Sequence, residues 1–129
     1  MNIGIDYWQV SSHHPGYFRP LAQRALSNGD RVFIVSAVGK DRAGTVRSKV
    51  VDLSIPFTQC IEVIFDKPEQ SPELKLAVCK KLDITVFYDD RDDVCRLLTK
   101  EGILAMRVTR KDNSTYDLGS DQADKGGGR

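Results

Sequence analysis

Four places along the chain carry side chains able to do chemistry, and each follows an apolar run or opens a helix. Asp6 closes IGID, Ser36 closes RVFIVS, Lys75 lies in the first turn of SPELKLAVCKK, and Asp89 and Asp90 close ITVFYDD with Asp93 close behind. A carboxylate, a hydroxyl, an ammonium and an acidic cluster together suit phosphoryl chemistry. A carboxylate can attack phosphorus and form an acyl phosphate. Several carboxylates held close repel one another, and a hard divalent cation relieves the repulsion. Mg²⁺ takes carboxylate and carbonyl oxygens, with water and phosphate completing its octahedron. A hydroxyl and an ammonium give hydrogen bonds and positive charge to the phosphate oxygens as charge shifts in the transition state. Each residue alone has an ordinary explanation. Asp6 could cap a turn, Ser36 is a common strand-end residue, and Lys75 could be a solvated helix lysine. Asp90, Asp92 and Asp93 could be an acidic helix start favoured by the helix dipole. The ordered set carries the weight.

These residues meet only if the elements between them bring them to one edge. Apolar runs predict strands over Ile3–Tyr7, Arg31–Ser36, Cys60–Phe65, Ile84–Tyr88 and Leu104–Val108. RVFIVS, apolar almost throughout, suits a strand covered on both faces. Helical spacing predicts helices over Phe18–Ser27, closed by Asn28-Gly29, and over Asp41–Leu53. Ser71-Pro72-Glu73 reads as N-cap, first position and first-turn acid of a third helix. A fourth covers Asp92–Glu101, closed by Gly102. Strands alternating with helices imply an α/β three-layer, Rossmann-like sandwich with a mostly parallel five-stranded sheet. Ligands bind such sheets at the carboxyl ends of the strands.

The 129 residues, 40% hydrophobic and 29% charged, match one domain, placed at residues 1–118. Residues 119–129, polar and Gly-rich, offer too little to bury and are expected to form a disordered tail. Nineteen basic against eighteen acidic side chains leave a net charge of +1, which argues against a general nucleic-acid binder or an electrostatic membrane anchor. No stretch approaches the roughly 20 apolar residues of a membrane span, and the opening residues lack the pattern of a secretory signal. Cys60, Cys79 and Cys95, odd in number and widely spaced, read as reduced thiols rather than a disulfide frame or zinc site. A cytoplasmic location is expected.

The order of these motifs resembles that of the haloacid dehalogenase (HAD) superfamily, whose members are mostly Mg²⁺-dependent phosphatases. The resemblance covers about residues 2–108. IGIDYWQV is similar to the first motif, an apolar strand followed by Asp-x-Asp-x-Thr or Val, with Asp6 as the nucleophile. VFIVSA matches the second through Ser36. LKLAVCKKLDITVFYDD supplies the third-motif lysine, Lys75, with Lys67 of FDKP as a second candidate. VFYDDRDDV offers the acidic motif as Asp89-Asp90 or as Asp89 with Asp93. The resemblance thus implies Asp6, Ser36 and Lys75 as catalytic residues, Trp8, Ser36 and Lys75 against substrate, and Asp6, Trp8, Asp89, Asp90 and Asp93 around Mg²⁺.

The chain departs from the family at Trp8, which replaces the second Asp of the first motif. That Asp protonates the leaving group and activates water in the family's phosphatases. Indole cannot do so, and loss of general acid–base catalysis costs on the order of 10²–10⁴ in rate. The implied activity is therefore a slow phosphohydrolase, with a catalytically inactive relative that binds metal or a phosphorylated partner as the alternative. The spacings Asp6–Ser36 and Ser36–Lys75 have no room for a large cap domain. An open site of this kind suits a large phosphorylated substrate, a macromolecule included, or a lid lent by the second subunit of a homodimer. His13-His14 lies in the loop after the first motif, where an imidazole could stand in for the missing acid. Lys40, Arg42 and Arg47 could form a basic rim, although a solvated face explains them too. A phospho-acceptor receiver shares the parallel sheet but places its acidic pair after the first strand, which excludes it here.

Overall fold

The computed structural model describes residues 1–110. Five parallel strands, β1 (Asn2–Ile5), β2 (Arg31–Gly39), β3 (Gln59–Phe65), β4 (Val86–Asp89) and β5 (Leu104–Arg107), lie in the order β3-β2-β1-β4-β5. Helices α1 (Pro15–Ser27), α2 (Val46–Asp52), α3 (Ser71–Lys81) and α4 (Asp92–Lys100) alternate with them. The α/β sandwich with a parallel five-stranded sheet is as expected. The tail expected over residues 119–129, and the domain's last stretch from 111 to 118, lie outside the described residues.

The two-residue alternation of strands sorts the core into two layers. Val32 and Ile34 of β2 join Ile3 and Ile5 against Phe18, Ala22, Ala25, Val46 and Val50 of α1 and α2. Phe33 and Val35 join Phe87 against Leu76 and Cys79 of α3 and Val94 and Leu98 of α4. This is why β2 reads as a continuous apolar run: both its faces are covered. From β1 the chain moves outward to β2 and β3, then returns through α3 to place β4 on the other side of β1. The crevice outside the carboxyl ends of β1 and β4 is therefore a topological switch point.

Gly4 lets these two central strands pack as they do. A Cβ there would lie 2.4 and 2.6 Å from ring carbons of Phe87, which is fully buried. Gly4→Ala is expected to cost about 1–3 kcal/mol by overpacking. Urea unfolding measures it, and an unchanged midpoint would mean that the ring can move aside.

Several boundaries differ from the expectation by a few residues, and three of the differences have a visible cause. The single helix over Asp41–Leu53 is instead a 3₁₀ turn, Lys40–Arg42, followed by α2. Gly44, at φ +86°, breaks the run, and the Glu62 carboxylate of β3 accepts from the N–H groups of Gly44 (2.6 Å) and Val46 (3.0 Å). β2 runs three residues beyond Ser36 because β3 continues to pair with it as far as Gly39–Phe65. Ser71 is already helical, since a 3₁₀ turn over Pro68–Gln70 leads into α3. No helix among the described residues is long and apolar enough to cross a membrane.

Candidate active site

Asp6 leaves β1 directly into a wide kinked turn, Tyr7–Ser11, in which Ser11 N–H reaches Asp6 O at 3.2 Å and Ser12 N–H reaches Tyr7 O at 2.9 Å. The Tyr7 N–H donates to Asp6 Oδ1 at 2.9 Å and so orients the carboxylate. Asp6 N–H bonds Tyr88 O of β4 at 3.0 Å, which ties the turn to the neighbouring strand. Asp89 closes that strand, and its Oδ1 accepts from the Arg91 N–H at 2.9 Å.

Lys75, on the first turns of α3, is 1% exposed and stands between the two acids. Its Nζ lies 2.5 Å from Asp89 Oδ2 and 3.3 Å from Asp6 Oδ1. Asp90 completes the group: Asp6, Asp89 and Asp90 each offer a carboxylate oxygen within 4.8 Å of the others, and all three are buried. Four of the residues singled out in the sequence, Asp6, Lys75, Asp89 and Asp90, are thus brought together. Ser36 stands on the adjacent strand, two residues past the Ile5–Ile34 pair, fully buried with no hydrogen-bond partner for its Oγ. A buried hydroxyl left so is costly, and a ligand oxygen would satisfy it.

The side chains of the other candidates make other contacts. Asp93 is outside the carboxylate group. Its oxygens accept from Arg91 Nε (2.9 Å) and Nη2 (2.6 Å), and it caps the Val94 N–H, so it serves as a helix-start residue held by a buried arginine. The Trp8 indole packs against the α1–α2 core layer, edge-on to Tyr7, with Lys49 Nζ of α2 4.5 Å above its ring. The aromatic ring is half-buried there. Lys67 precedes the 3₁₀ turn and is not among the buried residues, so Lys75 is the lysine that meets the carboxylates. The basic rim does not form as one patch: Lys40 pairs with Asp66, and Arg47 lies over the Phe57 ring.

Two arginines went unrecognised. Arg110 Nε donates to Asp90 Oδ2 at 3.2 Å, and Arg107 Nε donates to Asp90 O at 3.2 Å. Nothing in a polar run after a strand marks Arg110 as a residue that will be 5% exposed. Three buried carboxylates thus meet at one point with Lys75 and Arg110 beside them. Burial alone would lower the Lys75 pKa, but Asp6, Asp89 and Asp90 outweigh it and hold the ammonium charged well above its ordinary range. Burial raises Asp89, Lys75 opposes this, and Asp90 adds to it. Three hard carboxylate oxygens within 4.8 Å of one another suit a Mg²⁺ ion, so the residues fit that cation through Asp6, Asp89 and Asp90. The cysteines offer no rival nucleophile. Burial pushes the thiols of Cys60 up to about 11 and of Cys79 and Cys95 up to about 12, which keeps them protonated near neutrality.

No family model matches the chain. Sequence comparison finds class B acid phosphatases. That of Citrobacter rodentium is 33% identical over 121 residues, 90% of this chain and 48% of the relative. That of Salmonella typhimurium is 29% identical over 119 residues, with the same two coverages. The chain therefore spans about half the length of the curated relatives it matches. Among solved structures, a chain of the Pnkp1/Rnl/Hen1 RNA repair complex superposes with a TM-score of 0.66 at 11% identity, covering 86% of this chain and 43% of that one. An uncharacterized protein from Corynebacterium glutamicum gives 0.59 at 18% identity, covering 86% of both chains. At these identities the structural likeness speaks to the fold alone.

Proposed function

We infer that this member of the haloacid dehalogenase superfamily, homologous to class B acid phosphatases over 90% of its length, is a Mg²⁺-dependent phosphohydrolase. The observation that carries the reading is the buried Lys75 ammonium held between Asp6 at 3.3 Å and Asp89 at 2.5 Å. Such a group has little structural use for a third carboxylate, Asp90, at the same point. Asp6 is the nucleophile: a carboxylate oxygen attacks phosphorus, the bond to the leaving oxygen breaks, and an aspartyl phosphate forms that water then hydrolyses. Lys75 holds Asp6 in place and offers positive charge to the phosphate. Ser36 Oγ supplies a hydrogen bond to a phosphate oxygen. Asp6, Asp89 and Asp90 would hold the cation, which when bound neutralises charge on the transferring group.

The described residues between Asp6 and Ser36, and between Ser36 and Lys75, comprise only short helices, turns and strands, which supports an open site and a large phosphorylated substrate. A homodimer that lends a lid, and a cytoplasmic setting, remain parts of this proposal. One observation favours the non-catalytic alternative: Trp8, packed beneath Lys49, cannot transfer a proton.

Two measurements test the reading. The purified chain is expected to hydrolyse an aryl phosphate with Mg²⁺ and to stop on chelation. A beryllium fluoride phosphate mimic is expected to raise the melting temperature only when Mg²⁺ is present, by linkage. Absence of turnover, with Trp8→Asp restoring it, would establish the non-catalytic alternative. A melting temperature that the mimic leaves unchanged with Mg²⁺ would count against a shared metal–phosphate pocket.

A further inference from the structure

Phosphoester cleavage leaves an oxygen that needs a proton whenever the departing alcohol is weakly acidic, and Trp8 has none to give. One imidazole is placed to supply it. His14 precedes α1. Its N–H donates to Val10 O at 3.0 Å, and its carbonyl accepts from Tyr17 and Phe18 N–H, both at 3.1 Å, so its backbone is clamped on both sides. Its Nε2 is buried and has no hydrogen-bond partner. It lines a cavity of about 320 Å³ whose other walls include Tyr17, Phe18, Tyr88, Arg107 and Val108.

Three of those wall residues are bonded to the carboxylate residues themselves. Tyr88 O accepts from Asp6 N–H (3.0 Å), Val108 N–H donates to Asp89 O (2.8 Å), and Arg107 Nε donates to Asp90 O (3.2 Å). The cavity therefore adjoins the candidate site along the ends of β4 and β5. The titratable or charged groups facing it are Tyr17 of α1, Tyr88 of β4 and Arg107 of β5. The two phenol rings stand edge-on with centroids 6.5 Å apart, and burial raises Tyr88. Guanidinium groups do not release protons in proteins. Imidazole is the side-chain type in this lining suited to giving and taking a proton near neutrality.

We propose that His14 is the catalytic acid of this site, acting on the leaving group held in the cavity; the inference rests on the phosphohydrolase reading above. As Asp6 attacks phosphorus, the bond to the leaving oxygen breaks and His14 Nε2–H gives its proton to that oxygen, releasing the alcohol. Water then attacks the phosphorus of the aspartyl phosphate, the bond to the Asp6 oxygen breaks, and the proton that the water loses passes to solvent. Inorganic phosphate and the Asp6 carboxylate are released, and His14 is protonated again.

The test compares an alkyl phosphate, whose leaving oxygen needs a proton, with an aryl phosphate of an acidic phenol, whose oxygen does not. His14→Ala and His14→Gln are each expected to lower kcat on the alkyl substrate by about 10²–10³-fold. On the aryl substrate, whose leaving oxygen needs no proton, the loss should be at least about tenfold smaller. The pH dependence of kcat/KM on the alkyl substrate should lose one limb in both. Equal losses on the two substrates, a change in KM alone, or wild-type rates for His14→Gln would overturn the proposal. Should neither variant fold, wild-type rates across alcohols of rising basicity decide: a shallow dependence supports a proton donor, and a steep one excludes it. Turnover that Asp6→Asn abolishes and both His14 variants leave intact overturns this inference alone. A wild type without Mg²⁺-dependent turnover overturns both readings.

Discussion

Replacing Lys75 by methionine is expected to lower stability by about 3–5 kcal/mol, the usual cost of breaking a buried ion pair from one side. Methionine fills the space of the lysine stem, so packing is kept while the charge is lost. Asp6, Asp89 and Asp90 would then stand together within 4.8 Å without the ammonium that holds two of them. The pH dependence gives a second reading of the same event. Burial already raises the Asp89 pKa, and Lys75 works against that rise. Without Lys75 it climbs further above the unfolded value of about 3.9. A carboxyl raised in the folded state binds its proton more tightly there, so folding is penalised as pH rises above the unfolded value.

The gap between wild type and variant should thus be smallest near pH 4 and widen toward neutrality. Lys75 has the opposite range. Its pKa is raised on folding, so its contribution is complete below an unfolded value of about 10.4 and fades only as pH passes the folded one. Denaturant titrations at acidic and neutral pH would show this. Mg²⁺ should recover part of the loss at neutral pH, since it brings positive charge to the same oxygens. A variant as stable as the wild type at pH 7 would mean that the carboxylates are not held together by this lysine.

Asp6→Asn has the largest expected effect on activity and a small one on the fold. The amide keeps the shape and can still accept from the Tyr7 N–H, but it is a poor nucleophile and a weaker cation ligand. Mg²⁺-dependent turnover should fall by at least about 10³-fold, as when a covalent nucleophile is removed. Stability should hold or rise, because one of three crowded carboxylates is gone while Lys75 keeps Asp89 at 2.5 Å. Unfolding curves beside the kinetics separate the two outcomes. Normal turnover by a folded Asp6→Asn protein would remove Asp6 from the reaction, and a collapse in stability would recast it as a structural anchor.

Much of this arrangement could be read from the chain because local rules act on contiguous residues. Apolar runs marked all five strands, and the alternation of strand and helix required a parallel sheet, since parallel neighbours need crossovers. Asp6 and Asp89 stood out because a carboxylate at the end of a buried run has an obvious cost and an obvious use. The breaks at Gly44 and around Ser71 were not legible, because they depend on Glu62 from another strand and on how two turns stack.

The sequence by itself determined the class of fold and the edge where chemistry could gather, both properties of residue type and spacing. Tertiary structure decided which charges share the hollow. Asp93 went to Arg91, Asp90 drew in Arg110, the Trp8 ring went under Lys49, and His14, with a buried and unpartnered Nε2, came to line a cavity. Those choices turn on distances of a few ångströms between residues far apart in the chain. At that range burial multiplies the strength of a charge pair and the cost of an unmade bond, and no local pattern encodes either.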